Sequence, residues 1–284
     1  MPYEQEISSQ NKALFLFLID QSLSMEEHSA DGGRKCDEAA QAMNAWLQNI
    51  GIACSKSEGF KDYFDIGIFG YGTDPSGNPI IAPALEGALA GRELVSVKEA
   101  SENPARIDTV TVLIPDDDTG EMTPIDQQVP VWIDPKCNGG TPLCHTLTKA
   151  CEIVDQWISE HASSFPPIVI NITDGEANDG DPIPYADALK ERTTEDGNVL
   201  FFNCHLSSTP ADPFQFRGNG ELMPDEFARN LFNMSSLLPE SMAEKALNDG
   251  QDIEPNARGM VYNGDMVSLI KFLDIGTRAA GNLR

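Results

Sequence analysis

Basic residues are scarce in this chain of 284. Nineteen Lys plus Arg stand against 45 Asp plus Glu, for a formal net charge of −26. Nucleic-acid binding needs a basic footprint to displace counterions from phosphates, so the balance argues against that class. It argues equally against docking on an anionic membrane surface. Long apolar runs are also missing. The first, Ala13–Ile19, is far too short to cross a bilayer, and the opening M-P-Y-E-Q-E has no basic n-region. A cytoplasmic chain with no membrane insertion is the expectation. The six cysteines (36, 54, 137, 144, 151 and 204) include no C-x-x-C, and the four histidines are scattered. That spacing argues against a zinc site, and in a reducing compartment the cysteines are expected to be free thiols. The enzyme signatures G-x-S-x-G, G-x-x-x-x-G-K-[ST] and H-E-x-x-H do not occur. Gly67, Gly70 and Gly72 have the wrong spacing for a phosphate loop and fall inside a strand pattern.

What is present is ordinary globular composition, 40% hydrophobic and 23% charged. Strand and helix patterns alternate. Ala13–Asp20 and Tyr63–Gly72 read as buried strands, as do Pro167–Thr173 and Val199–Leu206, because near-continuous apolar runs mark strands covered on both faces. Residues 36–54 carry Ala39, Met43, Trp46, Leu47 and Ile50 at helical spacing. Thr141–His161 is the clearest helix, with Pro142 in its first turn. Further helices are expected near Tyr185–Thr194, Asp225–Met234 and Asp265–Thr277, and a short last strand at Met260–Tyr262. The order implies an α/β domain, a doubly wound, mostly parallel sheet flanked by helices. The chain reads as one domain over 1–284. Residues 73–136 break the alternation with strand-like pieces at Glu93–Lys98, Ile107–Ile114 and Val129–Ile133, and read as a β-rich insertion.

Three segments carry chemistry. The first strand runs into D-Q-S-L-S, presenting Asp20, Ser22 and Ser24 at alternate positions. Thr141 sits in N-G-G-T-P, and Asp174 ends P-I-V-I-N-I-T-D-G. Carboxylates and hydroxyls are hard oxygen ligands of the kind Mg²⁺ prefers. In a parallel sheet, ligands bind beyond the carboxyl ends of the strands, so Asp20 and Asp174 can converge. Alone, each piece is an ordinary loop cap or turn. Together and in this order they resemble the metal-ion-dependent adhesion site of von Willebrand factor A (vWA) domains, over most of the chain. The N-G-G-T-P-L and I-T-D-G-E strings are similar to those of cytoplasmic bacterial vWA proteins, including the tellurite-resistance-associated, stress-related ones.

The resemblance implies that Ser22, Ser24 and Thr141 coordinate an ion directly, while Asp20 and Asp174 act mainly through water. It implies Mg²⁺ or Mn²⁺, with Ca²⁺ less favoured, and a partner protein that presents Asp or Glu to the metal. It also implies neighbours such as kinases, phosphatases or AAA+ ATPases. A metal-dependent hydrolase of phosphate or acyl groups is the alternative, though no histidine falls within a matched motif. A structural subunit with a vestigial site is the third reading. Glu176, Asn178, Asp179 and Asp181 read as rim residues. Phe214 and Phe216, in a Pro- and Gly-rich loop, either pack onto the domain or serve as exposed aromatic anchors beside the metal.

Overall fold

The structure is a computed structural model that describes residues 2–29, 32–57, 59–115, 122–206, 214–224, 226–248 and 250–263. In chain order it holds β1 (Ala13–Asp20), α1 (Lys35–Cys54), the two-residue strands β2 (Ser55–Lys56) and β3 (Gly59–Phe60), and β4 (Phe64–Thr73). There follow β5 (Pro79–Pro83), β6 (Val95–Ser96), α2 (Val97–Glu102), β7 (Arg106–Pro115) and β8 (Met122–Val131). Next are α3 (Leu143–Glu160), β9 (Ile168–Thr173), α4 (Ile183–Lys190), and the short strands β10 (Thr193–Thr194) and β11 (Gly197–Asn198). The described chain closes with β12 (Leu200–His205), β13 (Phe214–Gln215), α5 (Glu226–Met234), α6 (Glu240–Asn248) and β14 (Met260–Tyr262).

Every residue of β1, β9 and β12 is buried, which is why none of them alternates between apolar and polar. The main sheet runs β13-β14-β12-β9-β1-β4-β5, with β6 also paired to β4. Pairings among β4, β1, β9, β12 and β14 are all parallel, while β5, β6 and β13 attach antiparallel at the margins. The result is the expected α/β architecture. Odd-numbered residues of β1 (Phe15, Phe17, Ile19) pack with α1 and α6 on one face. Even-numbered ones (Leu14, Leu16, Leu18) pack with α3, α4 and α5 on the other. Trp46 on α1 meets the Phe17 ring edge-on at 4.5 Å, which locks α1 over the sheet's centre.

Between Thr73 and Lys136 the chain adds β5 and β6 to the sheet and forms a separate two-stranded ribbon from β7 and β8. Glu93–Lys98 is only partly a strand. Ser96 and Glu99 form a reciprocal capping box that starts α2 at Val97. The ribbon is tied back through Asn44 of α1, whose Oδ1 accepts from the backbone N–H groups of Trp132 and Ile133. The acidic turn expected between β7 and β8 and the helix expected at Asp265–Thr277 lie outside the described residues.

One expectation is corrected. Not all cysteines are free thiols: Cys36 at the start of α1 and Cys137 form a disulfide across 101 residues. A pair so far apart, outside any C-x-x-C, leaves no mark in the sequence. Cys54, Cys144, Cys151 and Cys204 are free and buried, and burial pushes the Cys54 and Cys144 thiols up to about 12. Among the described residues no helix is long and apolar enough to cross a membrane.

Candidate metal centre

β1 and β9 are parallel neighbours, so their carboxyl ends stand side by side and the loops that follow them meet. The β1 loop turns immediately: the Ser22 backbone N–H donates to Asp20 Oδ1 at 2.8 Å, an Asx-type turn that aims both serines at one point. Ser22 Oγ and Ser24 Oγ lie 3.0 Å apart, and Ser24 Oγ donates to Asp174 Oδ1 at 2.7 Å. The other Asp20 oxygen accepts from Thr173 Oγ1 at 2.6 Å, so the end of β9 holds the end of β1.

Thr141 arrives from the loop before α3. That loop is pinned to the first one by Asn138 N–H donating to Gln21 O and by Leu23 N–H donating to Gly139 O. Gly139 has a φ of 71° and lies so close to Thr73 that a Cβ would collide with its backbone, so the N-G-G sequence is needed for this approach. The Thr141 N–H donates to Asn178 Oδ1, and the Asn178 N–H returns a bond to Thr141 O. Asp179 accepts from the Cys144 and His145 backbone N–H groups, capping α3 from outside the helix. Asn178 and Asp179 therefore brace the site rather than merely rim it.

A Cβ on Gly175 would sit 3.5 Å from both Ser24 Oγ and Thr141 Oγ1. The glycine thus leaves open a small space bounded by hydroxyls from two loops and by the Asp174 carboxylate. Three hydroxyls and two carboxylates form a donor set that fits a hard divalent cation of the magnesium type. Among the described residues no group of three or more His, Cys, Asp or Glu is placed to hold a metal ion. Gly175 has an ordinary backbone conformation, and its substitution tests the space directly. Gly175→Ala is expected to weaken Mn²⁺ affinity about tenfold or more with an unchanged melting temperature, read by calorimetric titration and thermal unfolding.

Burial dominates the electrostatics. Asp20 is pushed up to about 7, chiefly by desolvation, with the Asp174 charge adding to the rise and the Thr173 and Ser22 bonds opposing it. Tyr71 lies beneath the site and donates to Asn171 Oδ1 at 2.8 Å. Its hydroxyl is raised well above the usual range by burial and by the Asp20 charge.

All five expected residues converge. Sequence reasoning missed one that touches them. Lys35, the first residue of α1, places its ammonium 2.6 Å from Asp174 Oδ2, and both side chains are buried. The candidate aromatic anchors do not survive intact. Phe216 is fully buried within the core, so it is not an exposed anchor. Phe214 pairs through its backbone with Tyr262 in the sheet. Residues 207–213 lie outside the described residues.

No protein-family model and no curated protein matches the sequence. Solved structures similar to it include proximal thread matrix protein 1 from the mussel byssus, at 13% identity and TM-score 0.46, covering 97% of this chain and 49% of that one. The ArnB paralog VWA2 from Sulfolobus acidocaldarius is similar at 14% identity and TM-score 0.34, covering 68% of this chain and 35% of that one. The vWF domain of the type V pili tip protein Mfa5 from Porphyromonas gingivalis is similar at 14% identity and TM-score 0.31, over 59% and 39% of the two chains. The chain spans about half or less of the length of each. The fold described above rests on this chain's own sheet order.

Proposed function

We propose that the chain is a binding module that holds Mg²⁺ or Mn²⁺ at Asp20, Ser22, Ser24, Thr141 and Asp174, and that docks a protein partner through an Asp or Glu side chain of that partner. The observation that carries this reading is the meeting of Ser22, Ser24 and Asp174 at hydrogen-bond distance, with Thr141 across the same small space. A bound cation would supply an electrophilic position for an outside carboxylate. The protein's part is to hold three neutral hydroxyls and only two carboxylates around that position, which leaves it short of negative charge. α3 begins just after Thr141, so the positive end of an 18-residue helix also faces an incoming anion.

Cytoplasmic residence carried the expectation of free thiols, and the Cys36–Cys137 bond runs against that expectation. The disulfide favours an oxidising setting.

The test is capture of partners from the host with Mg²⁺ and with EDTA, identified by mass spectrometry. A partner retained with Mg²⁺ and lost both in EDTA and with Asp20→Ala is the expected result. Equal capture in all three would reject metal-dependent docking and return the site to a structural role.

One observation favours hydrolysis as a second reading. His145 Nδ1 lies 2.7 Å from Asp179 Oδ2, which orients an exposed imidazole one helical turn from Thr141. Turnover of generic phosphate or ester substrates with Mn²⁺, lost in His145→Ala, would establish it. No turnover leaves the binding reading standing.

A further inference from the structure

Lys35 is misplaced by ordinary rules. It opens α1, the helix end where the macrodipole favours anions, and it is one of few basic residues in an acidic chain. Its neighbour Arg34 turns outward to Asp37, as a surface cation should. Lys35 instead turns inward until its side chain is only 4% exposed and meets the fully buried side chain of Asp174. Glu27, the other carboxylate it reaches at 3.3 Å, is mostly in solvent and leaves the ammonium's charge to Asp174. Both Asp174 oxygens are then committed, Oδ1 to the Ser24 hydroxyl and Oδ2 to the Lys35 ammonium.

Resting on the proposed cation site, we infer that Lys35 is its positioning residue: the ammonium neutralises Asp174 from inside the fold, keeps cation affinity low, and makes the bound cation depend on an external carboxylate. With Asp20 ionised, as a bound cation would hold it, Asp20 and Asp174 bring two negative charges to the site, and Lys35 cancels one. A divalent cation that enters then leaves an uncancelled positive charge, which a partner's carboxylate can neutralise. Like charges held this close in a poorly solvated site repel strongly, so the fixed ammonium opposes cation entry. Lys35 also keeps Asp174 turned toward Ser24, where it reaches a cation through water or through the serine rather than by direct ligation.

The experiment compares wild type, Lys35→Met and Lys35→Arg by calorimetric titration with Mn²⁺ and Mg²⁺, and by thermal unfolding in EDTA and in Mg²⁺. Lys35→Met keeps the length and apolar stem but removes the charge. It is expected to bind either ion about tenfold tighter or more than wild type. Its melting temperature should fall in EDTA, because a buried carboxylate has lost its counter-ion, and recover in Mg²⁺. Lys35→Arg should bind within about threefold of wild type, since its charge is retained. If Lys35→Met does not fold in EDTA, Mg²⁺ should restore folding, and failure to do so would overturn the inference. Wild-type binding with Lys35→Met equal or weaker overturns the role of Lys35 alone, because a residue needed only for structure would lose affinity. Binding seen only in Lys35→Met supports the inference. No binding in any variant overturns the cation site itself.

Discussion

Asp20→Ala is expected to abolish Mg²⁺ and Mn²⁺ binding, by more than about a hundredfold, in a protein that still folds. The strand before Asp20 is apolar, fully buried and paired on both sides, so its placement does not depend on the carboxylate. Two terms nearly cancel in stability. The variant leaves the Ser22 N–H without its Asp20 acceptor, at about 1–3 kcal/mol for a buried donor, and leaves the Thr173 hydroxyl only the longer bond to Gly175 O at 3.3 Å. Against this it removes a buried charge that the fold disfavours. Asp20 titrates at 3.8 in its ordinary state and at about 7 in the folded chain. As pH rises from about 4 to about 7 the unfolded chain gives up this proton first. The folded state therefore loses stability over that window, the reverse of a salt-bridged carboxylate. Urea unfolding in EDTA at both ends of the window should show a smaller alkaline loss for Asp20→Ala than for wild type. Calorimetric titration with unchanged metal affinity would reject the assignment of the site.

Phe216→Ala should do the opposite, costing about 3–5 kcal/mol of stability and leaving metal affinity alone. For a chain of this size that is a fall of roughly ten degrees in melting temperature. The ring is fully buried with Phe202, Leu206 and Val261 in the core cluster on the α1 face. Its φ of 53° is left-handed, a conformation that costs an L-residue about 1–2 kcal/mol. Alanine would keep that strain and lose the burial that offsets it. Differential scanning calorimetry and metal titration on one preparation check both halves. A small thermal shift would return Phe216 to the surface.

The parts of the fold legible in the sequence were those whose burial is complete. β1, β9 and β12 are largely apolar because both faces are covered, with buried Asn171, Thr173, Asn203 and His205 as the polar exceptions in β9 and β12, and α1 and α3 each carry a continuous stripe toward the sheet. The site was legible for a related reason: Asp20 and Asp174 stand at the carboxyl ends of such runs, and strand ends in a parallel sheet share an edge. Other elements left weaker marks. α6 buries only Met242 and Ala246 among its described core residues, too little for a stripe. α2 was announced by Ser96 and Glu99, a capping-box spacing masked by the β-branched Val95 and Val97 around it. Lys35 was invisible for a physical reason. A lysine at a helix start normally faces water, and its partner Asp174 is 139 residues away. The disulfide was hidden in the same way, since Cys36 and its partner Cys137 are 101 residues apart.

The central position of β1 also sets a timetable for synthesis. Its two neighbours are made at very different times: β4 begins at Phe64, but β9 is not complete until Thr173. At about 5–20 residues per second, the roughly 150 residues between β1 and the end of β9 take on the order of ten seconds to emerge. Through that interval the most apolar strand of the protein has one edge without its partner, the exposure that invites pairing with other chains. The strand order thus leaves this edge open late into synthesis, a consequence separate from anything the finished site does.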